Sequence, residues 1–82
     1  MKEITIDCVG LDKTGLHKKL SEALDFPQWY GNNLDALYDC LTEIFEPTHL
    51  IISNLPPLPG FRETLEDAAK ENDSLSVVIL PR

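Results

Sequence analysis

Asp35 and Asp39 stand four positions apart, with Tyr38 between them and Trp29 and Tyr30 just upstream. On a helix this spacing stacks both carboxylates on one face, one turn apart. Like charges so placed cost a helix about 0.2–0.5 kcal/mol. Asp35, near the start, is offset by the positive end of the helix dipole; Asp39, a turn further in, is offset less. Three uses fit such a pair: solubility, a cation such as Mg²⁺, or recognition of positive charge on a partner, with the flat aromatics supplying contact area. Two carboxylates with no acidic strand end near them in sequence make a weak metal set. Between solubility and recognition the residues alone stand even, because Trp29 or Tyr30 could instead fold into the core.

The other chemistry-bearing residues assemble no catalytic set. His17 and His49 have no Ser, Cys or Glu in a nucleophile arrangement, so each reads as a surface or satisfied histidine. Gly10, Gly15, Gly31 and Gly60 stand alone, which excludes a glycine-rich phosphate loop. Cys8 and Cys40 have neither zinc-ligand spacing nor a Cys-x-x-Cys motif; they read as reduced, semi-buried small residues, with a bridge left open. The size and acidity also fit an acyl carrier protein, but that needs a serine at the start of the second helix, where the chain has Asn33-Leu34-Asp35. The chain is therefore read as no enzyme, with no cofactor and no metal. The alternative from another class is a small Mg²⁺-binding or enzymatic protein using Asp35 and Asp39.

Six elements must position these residues. Residues 3–8 alternate, Ile4, Ile6 and Cys8 against Glu3, Thr5 and Asp7, as a strand with one wet face. Thr14 is a plausible N-cap for a helix whose stripe is Leu16, Leu20, Ala23 and Leu24, stopped by Pro27. Residues 26–33 form a loop in which Gly31 and two asparagines favour unusual backbone angles. Asn33 caps a second helix over about 34–45, with Leu34, Leu37, Leu41, Ile44 and Phe45 on its apolar stripe. Residues 49–53 read as a more buried strand, followed by a stiff proline-rich connector over 54–60. Phe61, Leu65, Ala68 and Ala69 mark a third helix that fades near Asn72-Asp73, and 75–80 is the last strand. Helical crossovers imply parallel strands and right-handed connections. With both connections on one face the order is 1-2-3: a two-layer α/β fold, three-stranded parallel sheet below, three main helices above.

With 82 residues, residues 1–82 are expected to be a single domain. No apolar run approaches the ~20 residues of a membrane span, and the N-terminus lacks the basic start and apolar core of a signal peptide, so the expected location is the cytoplasm. From Leu20 to Phe61 there is no Lys or Arg, and Glu22, Asp25, Asp35, Asp39, Glu43 and Glu46 supply −6 of the formal net charge of −7. Such a region repels nucleic acid and anionic membrane and attracts a basic partner, although acidity also serves plain solubility.

The run Phe26-Pro27-Gln28-Trp29-Tyr30-Gly31-Asn32-Asn33-Leu34-Asp35-Ala36-Leu37-Tyr38-Asp39-Cys40-Leu41-Thr42 resembles the barstar family signature, aromatic-Tyr-Gly-x-Asn-hydrophobic-Asp-Ala-Leu-x-Asp. Element order and length also resemble that family over nearly the whole chain. The resemblance implies a barstar-like fold and a protein inhibitor whose second helix and preceding loop plug the active site of a small basic ribonuclease. Carried over by motif, Asp39 would enter the phosphate pocket and pair with its arginines and a histidine, and Asp35 would pair with basic groups beside it. Residue 29 would stack at the rim, with Tyr30 and Gly31 in the same loop; Asn33, Leu34, Tyr38 and Thr42 would pack around the acids. The acid that the family's last helix contributes aligns with no certain residue; Asp67 and Glu71, four apart on one face, are the candidates. Two departures bear on partner choice: Trp29 where the family often has Tyr, and Tyr38 where its best-known member has Trp. The expected partner is a basic ribonuclease or similar basic protein, with no nucleic acid and no membrane, and the free chain is expected to be a monomer. The alternative reading within the fold is an antitoxin-like immunity or interaction protein for a different basic toxin.

Overall fold

The computed structural model describes residues 1–80. Its elements are β1 (Lys2–Asp7), α1 (Lys13–Leu24), α2 (Leu34–Thr42), β2 (Thr48–Ser53), α3 (Phe61–Glu71) and β3 (Leu75–Ile79). The strands are parallel in the order β1-β2-β3, the α/β arrangement and strand order that the alternation and crossovers predict. Register aligns Ile4, Leu50 and Val77, then Ile6, Ile52 and Ile79, in rows beneath the helices. The opposite rows, such as Thr5, Ile51 and Val78, face outward. The shortest dimension, 19 Å, accommodates one layer of helices, each ~10–12 Å across, on one sheet. β2 alternates buried and half-buried residues because it alone has a strand on each side. One cluster joins Leu16 and Leu20 of α1, Leu37 and Leu41 of α2, Phe61 and Leu65 of α3, and the inner faces of the strands.

Several local expectations are corrected. The N-cap of α1 is Asp12, not Thr14: its Oδ1 accepts from Gly15 N at 2.8 Å. Its carboxylate adds charge to the cap at the positive end of the helix dipole. α1 stops at Leu24 because Asp25 turns left-handed (φ 56°) and its N–H returns to Ser21 O, ahead of any effect of Pro27. In the loop where Gly31 and two asparagines favour unusual angles, it is Asn32 that takes the positive φ (52°), a conformation asparagine tolerates better than most residues, so this expectation stands. α2 ends at Thr42, not near 45. Beyond its end Phe45 no longer follows helical spacing, and instead of joining the apolar stripe it is 90% exposed. Both cysteines are buried and free.

Two contacts fix α2 against α3. Gly60, just before α3, has φ 84°, and a Cβ there would strike Leu34 Cδ1 at the start of α2. A side chain at position 60 would be strained by the positive φ and would force Leu34 out of its position against α3. At the other end, Asn72 Nδ2 donates to Leu41 O at 2.9 Å and to Ile44 O at 2.8 Å, while its Oδ1 accepts from Ser74 N at 2.9 Å. One amide thus reinforces Leu41 O, which has a long 3.4 Å bond from Ile44 N, and satisfies Ile44 O just beyond the helix end.

Candidate protein-binding face

The loop before α2 is held from below by a stack of rings. Tyr30 N donates to Pro27 O at 3.0 Å, closing a turn. The Tyr30 ring lies 4.9 Å from that of Phe26, and its hydroxyl is hydrogen-bonded to Nδ1 of His17. His17 is fully buried, with its ring 4.8 Å from that of Phe61, and its Nε2 has no partner among the described residues. The expectation of a surface or satisfied histidine is therefore corrected at His17: it is a core residue with one nitrogen bonded. Burial holds its pKa below the usual imidazole value, and Lys13 adds to this. Protonation would leave a buried charge and an N–H without acceptor. Burial, with a smaller effect from Cys40, pushes the Tyr30 phenol up to about 12. His49 is half-buried, with Nδ1 3.1 Å from Ser76 Oγ.

With Tyr30 turned inward, Trp29 is turned out and is 61% exposed. Asn33 makes the N-cap expected of it: Oδ1 accepts from Ala36 N at 2.8 Å, and Nδ2 donates to Gly31 O at 3.3 Å. That cap starts α2 in a fixed rotation. Leu37 and Leu41 go fully into the core, Leu34 and Tyr38 lie half-buried against it, and Asp35 and Asp39 are exposed on the remaining face. Among the described residues neither carboxylate is held by an ion pair or a side-chain hydrogen bond. Thr42 uses its hydroxyl locally, donating to Tyr38 O and Asp39 O at 3.0 Å each. Asp67 and Glu71 are exposed on α3, which packs on α2.

The structure thus divides the candidate residues by what they do. Trp29, Asp35 and Asp39 present side chains to solvent. Tyr30 and Leu34 build the support, Gly31 and Asn33 shape the turn and the cap, and Thr42 is bonded to its own helix. His17, Gly60 and Asn72 were missed as supports. His17 had a readable signal: it precedes Leu20 by three and Leu24 by seven, helical spacing on the apolar side. Gly60 and Asn72 act on residues far away in sequence and carried no local signal.

Among the described residues no three His, Cys, Asp or Glu side chains are grouped so as to hold a metal ion, and no helix is long and apolar enough to cross a membrane. What the geometry defines is a helix with an exposed acidic face, preceded by a loop that exposes an indole. The family model described as Barstar (barnase inhibitor) matches residues 1–79, and the chain belongs to the barstar family. A relative from Bacillus subtilis (strain 168), named Putative ribonuclease inhibitor YrdF, is 45% identical over 56 residues, which is 66% of this chain and 62% of that protein. The match therefore spans somewhat under two thirds of the relative's length.

Proposed function

We propose that the chain, as a single cytoplasmic domain, inhibits a small basic ribonuclease of the extracellular type and shields the producing cell from enzyme not yet exported. The observation that carries this reading is the exposure of Asp35 and Asp39, unpaired within the described residues, beside the outward Trp29 on a buried support. A carboxylate can stand where a substrate phosphate would, and arginine meets it with paired, charge-assisted hydrogen bonds. In this reading Asp39 enters the phosphate pocket, Asp35 pairs beside it, and Trp29 stacks at the rim. Gly31, Asn33, Leu34, Tyr38 and Thr42 hold the acids in place, with Tyr30 below. Asp67 or Glu71 adds charge from α3. The cation-free stretch from Leu20 to Phe61 steers a basic enzyme toward this face, which raises the association rate and makes it salt-dependent.

The family matches and the name of the relative support a ribonuclease as the partner. The test is capture of the partner from the native organism on the immobilised chain, followed by a ribonuclease inhibition assay. Stoichiometric inhibition that Asp39→Ala weakens more than any other single change is expected. A captured partner without ribonuclease activity would turn the reading toward an immunity protein for another toxin.

A further inference from the structure

A groove of about 310 Å³ lies where the ends of α1 and α2 meet the first half of β1. Ile4, Leu24, Phe26 and Ile44, all half-buried, make its apolar lining, with the buried Cys40 among them. Asp25, Glu43 and Glu46 are exposed around it, and Lys2 is the one base in its described lining. Phe45, 90% exposed, stands beside it. Single exposed apolar side chains are ordinary, but here the ring continues an apolar hollow instead of standing alone. The volume is at the small end for binding sites, which suits one anchoring side chain and not a large ligand.

We propose that this groove docks a positively charged segment of a partner protein that carries one large apolar side chain. The apolar group fills the space between Ile4, Leu24 and Ile44, against Phe45. Lys or Arg residues on either side of it meet Asp25, Glu43 and Glu46. Charge complementarity selects this occupant. A second copy of the chain would set three carboxylates against the same three, with only Lys2 to answer them. The assignment rests on the groove's own lining and stands whether or not the partner is a ribonuclease.

The probe is a capped Lys-Arg-Leu-Arg-Lys peptide titrated into the full chain, followed by amide NMR shifts. Saturable shifts at Leu24, Phe26 and Ile44 are expected. Replacing the peptide's Leu by Ala should weaken binding at least about tenfold, as should the exposed double substitution Glu43→Gln with Glu46→Gln. Asp39→Ala, which should weaken ribonuclease inhibition, should leave the Leu-to-Ala dependence of peptide binding intact, so the two readings fail separately. Absence of binding, shifts confined to Asp35 and Asp39, or indifference to the Leu-to-Ala change would overturn the proposal. So would concentration-dependent shifts at Phe45 without peptide, which would assign the groove to a second copy.

Discussion

The two sides of α2 solve opposite problems. The inner side carries Leu37 and Leu41, fully buried, with Gly60 against Leu34 at one end of the helix and Asn72 against its last carbonyls at the other. The outer side carries Asp35 and Asp39, exposed and, among the described residues, without a partner. Apart from the Asn33 cap at its start and the Thr42 hydroxyl at its end, the described contacts that anchor the helix are on the first side, and the carboxylates of Asp35 and Asp39 are on the second. A surface whose charge is already neutralised internally has little left for a partner, and one that is not anchored cannot present charge in a fixed place. The difference teaches that a face with unpaired charge can be kept here because stability is supplied from the other side of the same helix.

The sharpest way to break this division is a matched pair of substitutions. Leu41→Ala should lower stability by about 2–5 kcal/mol, read from a urea midpoint, while molecules that remain folded bind the partner nearly as before. Asp39→Ala should do the reverse, leaving stability unchanged or raising it by up to about 1.5 kcal/mol through relieved repulsion and better helix propensity. The affinity loss should be about 2–5 kcal/mol, the general cost of truncating one partner of a buried charge pair at an interface. If Asp39→Ala unfolds the chain, or Leu41→Ala abolishes binding in the folded fraction, the two sides are not separate.

Asn72→Ala tests whether support comes from outside the helix. Removing its amide leaves Leu41 O and Ile44 O without that donor, at a cost of about 1–3 kcal/mol. Hydrogen exchange should quicken at the C-terminal turn of α2 before it does at Leu37. Equal exchange along the whole helix would assign Asn72 a lesser role.

His17 adds a pH dependence on the inner side. Its folded pKa lies below the ordinary value of 6.5, so its contribution to stability is fully present above that value and is lost as pH falls through the lowered one. The urea midpoint should therefore decline on acidification from about pH 6.5, before ordinary carboxylates titrate near 4. His17→Asn, whose side-chain amide can still hydrogen-bond the Tyr30 hydroxyl but does not titrate, should flatten this part of the curve. An unchanged slope would move the effect to another group.

What was legible beforehand follows the range of the signals. Alternation in β1 and the leucine spacing of α1 and α2 are local, and they carried the element order, the parallel sheet and the strand order. Strand ends agree within a residue because the terminal hydrogen bonds continue past them, Cys8 N to Ser53 O and Leu80 N to Ile52 O at 2.9 and 2.8 Å. The exposed aspartates were legible as a helical pair whose repulsion lacked an internal answer. Which of two adjacent aromatics turns inward was not, because it depends on His17 and Phe61, thirteen and thirty-one residues from Tyr30. The end of α2 was misplaced for the same reason: Asn72 closes it from across the fold, and nothing between Thr42 and Phe45 marks the stop.

The smallest effect expected probes the division most directly. Asp39 has a like charge one turn away on each side, Asp35 and Glu43, and Glu43 sits at the helix end where negative charge is least favoured. Asp39→Asn removes that repulsion while keeping shape, and asparagine and aspartate have similar helix propensity. Stability should rise by about 0.4–1 kcal/mol, about 0.2–0.5 for each of the two pairs relieved, and the gain should shrink as added salt screens the charges. The same substitution should weaken partner binding, because the neutral amide lacks the charge a basic pocket requires. A stability gain that salt leaves unchanged would locate the strain in packing; a loss of stability would mean that Asp39 is answered from within the fold, and the outer side of α2 would no longer be a surface held open for a partner.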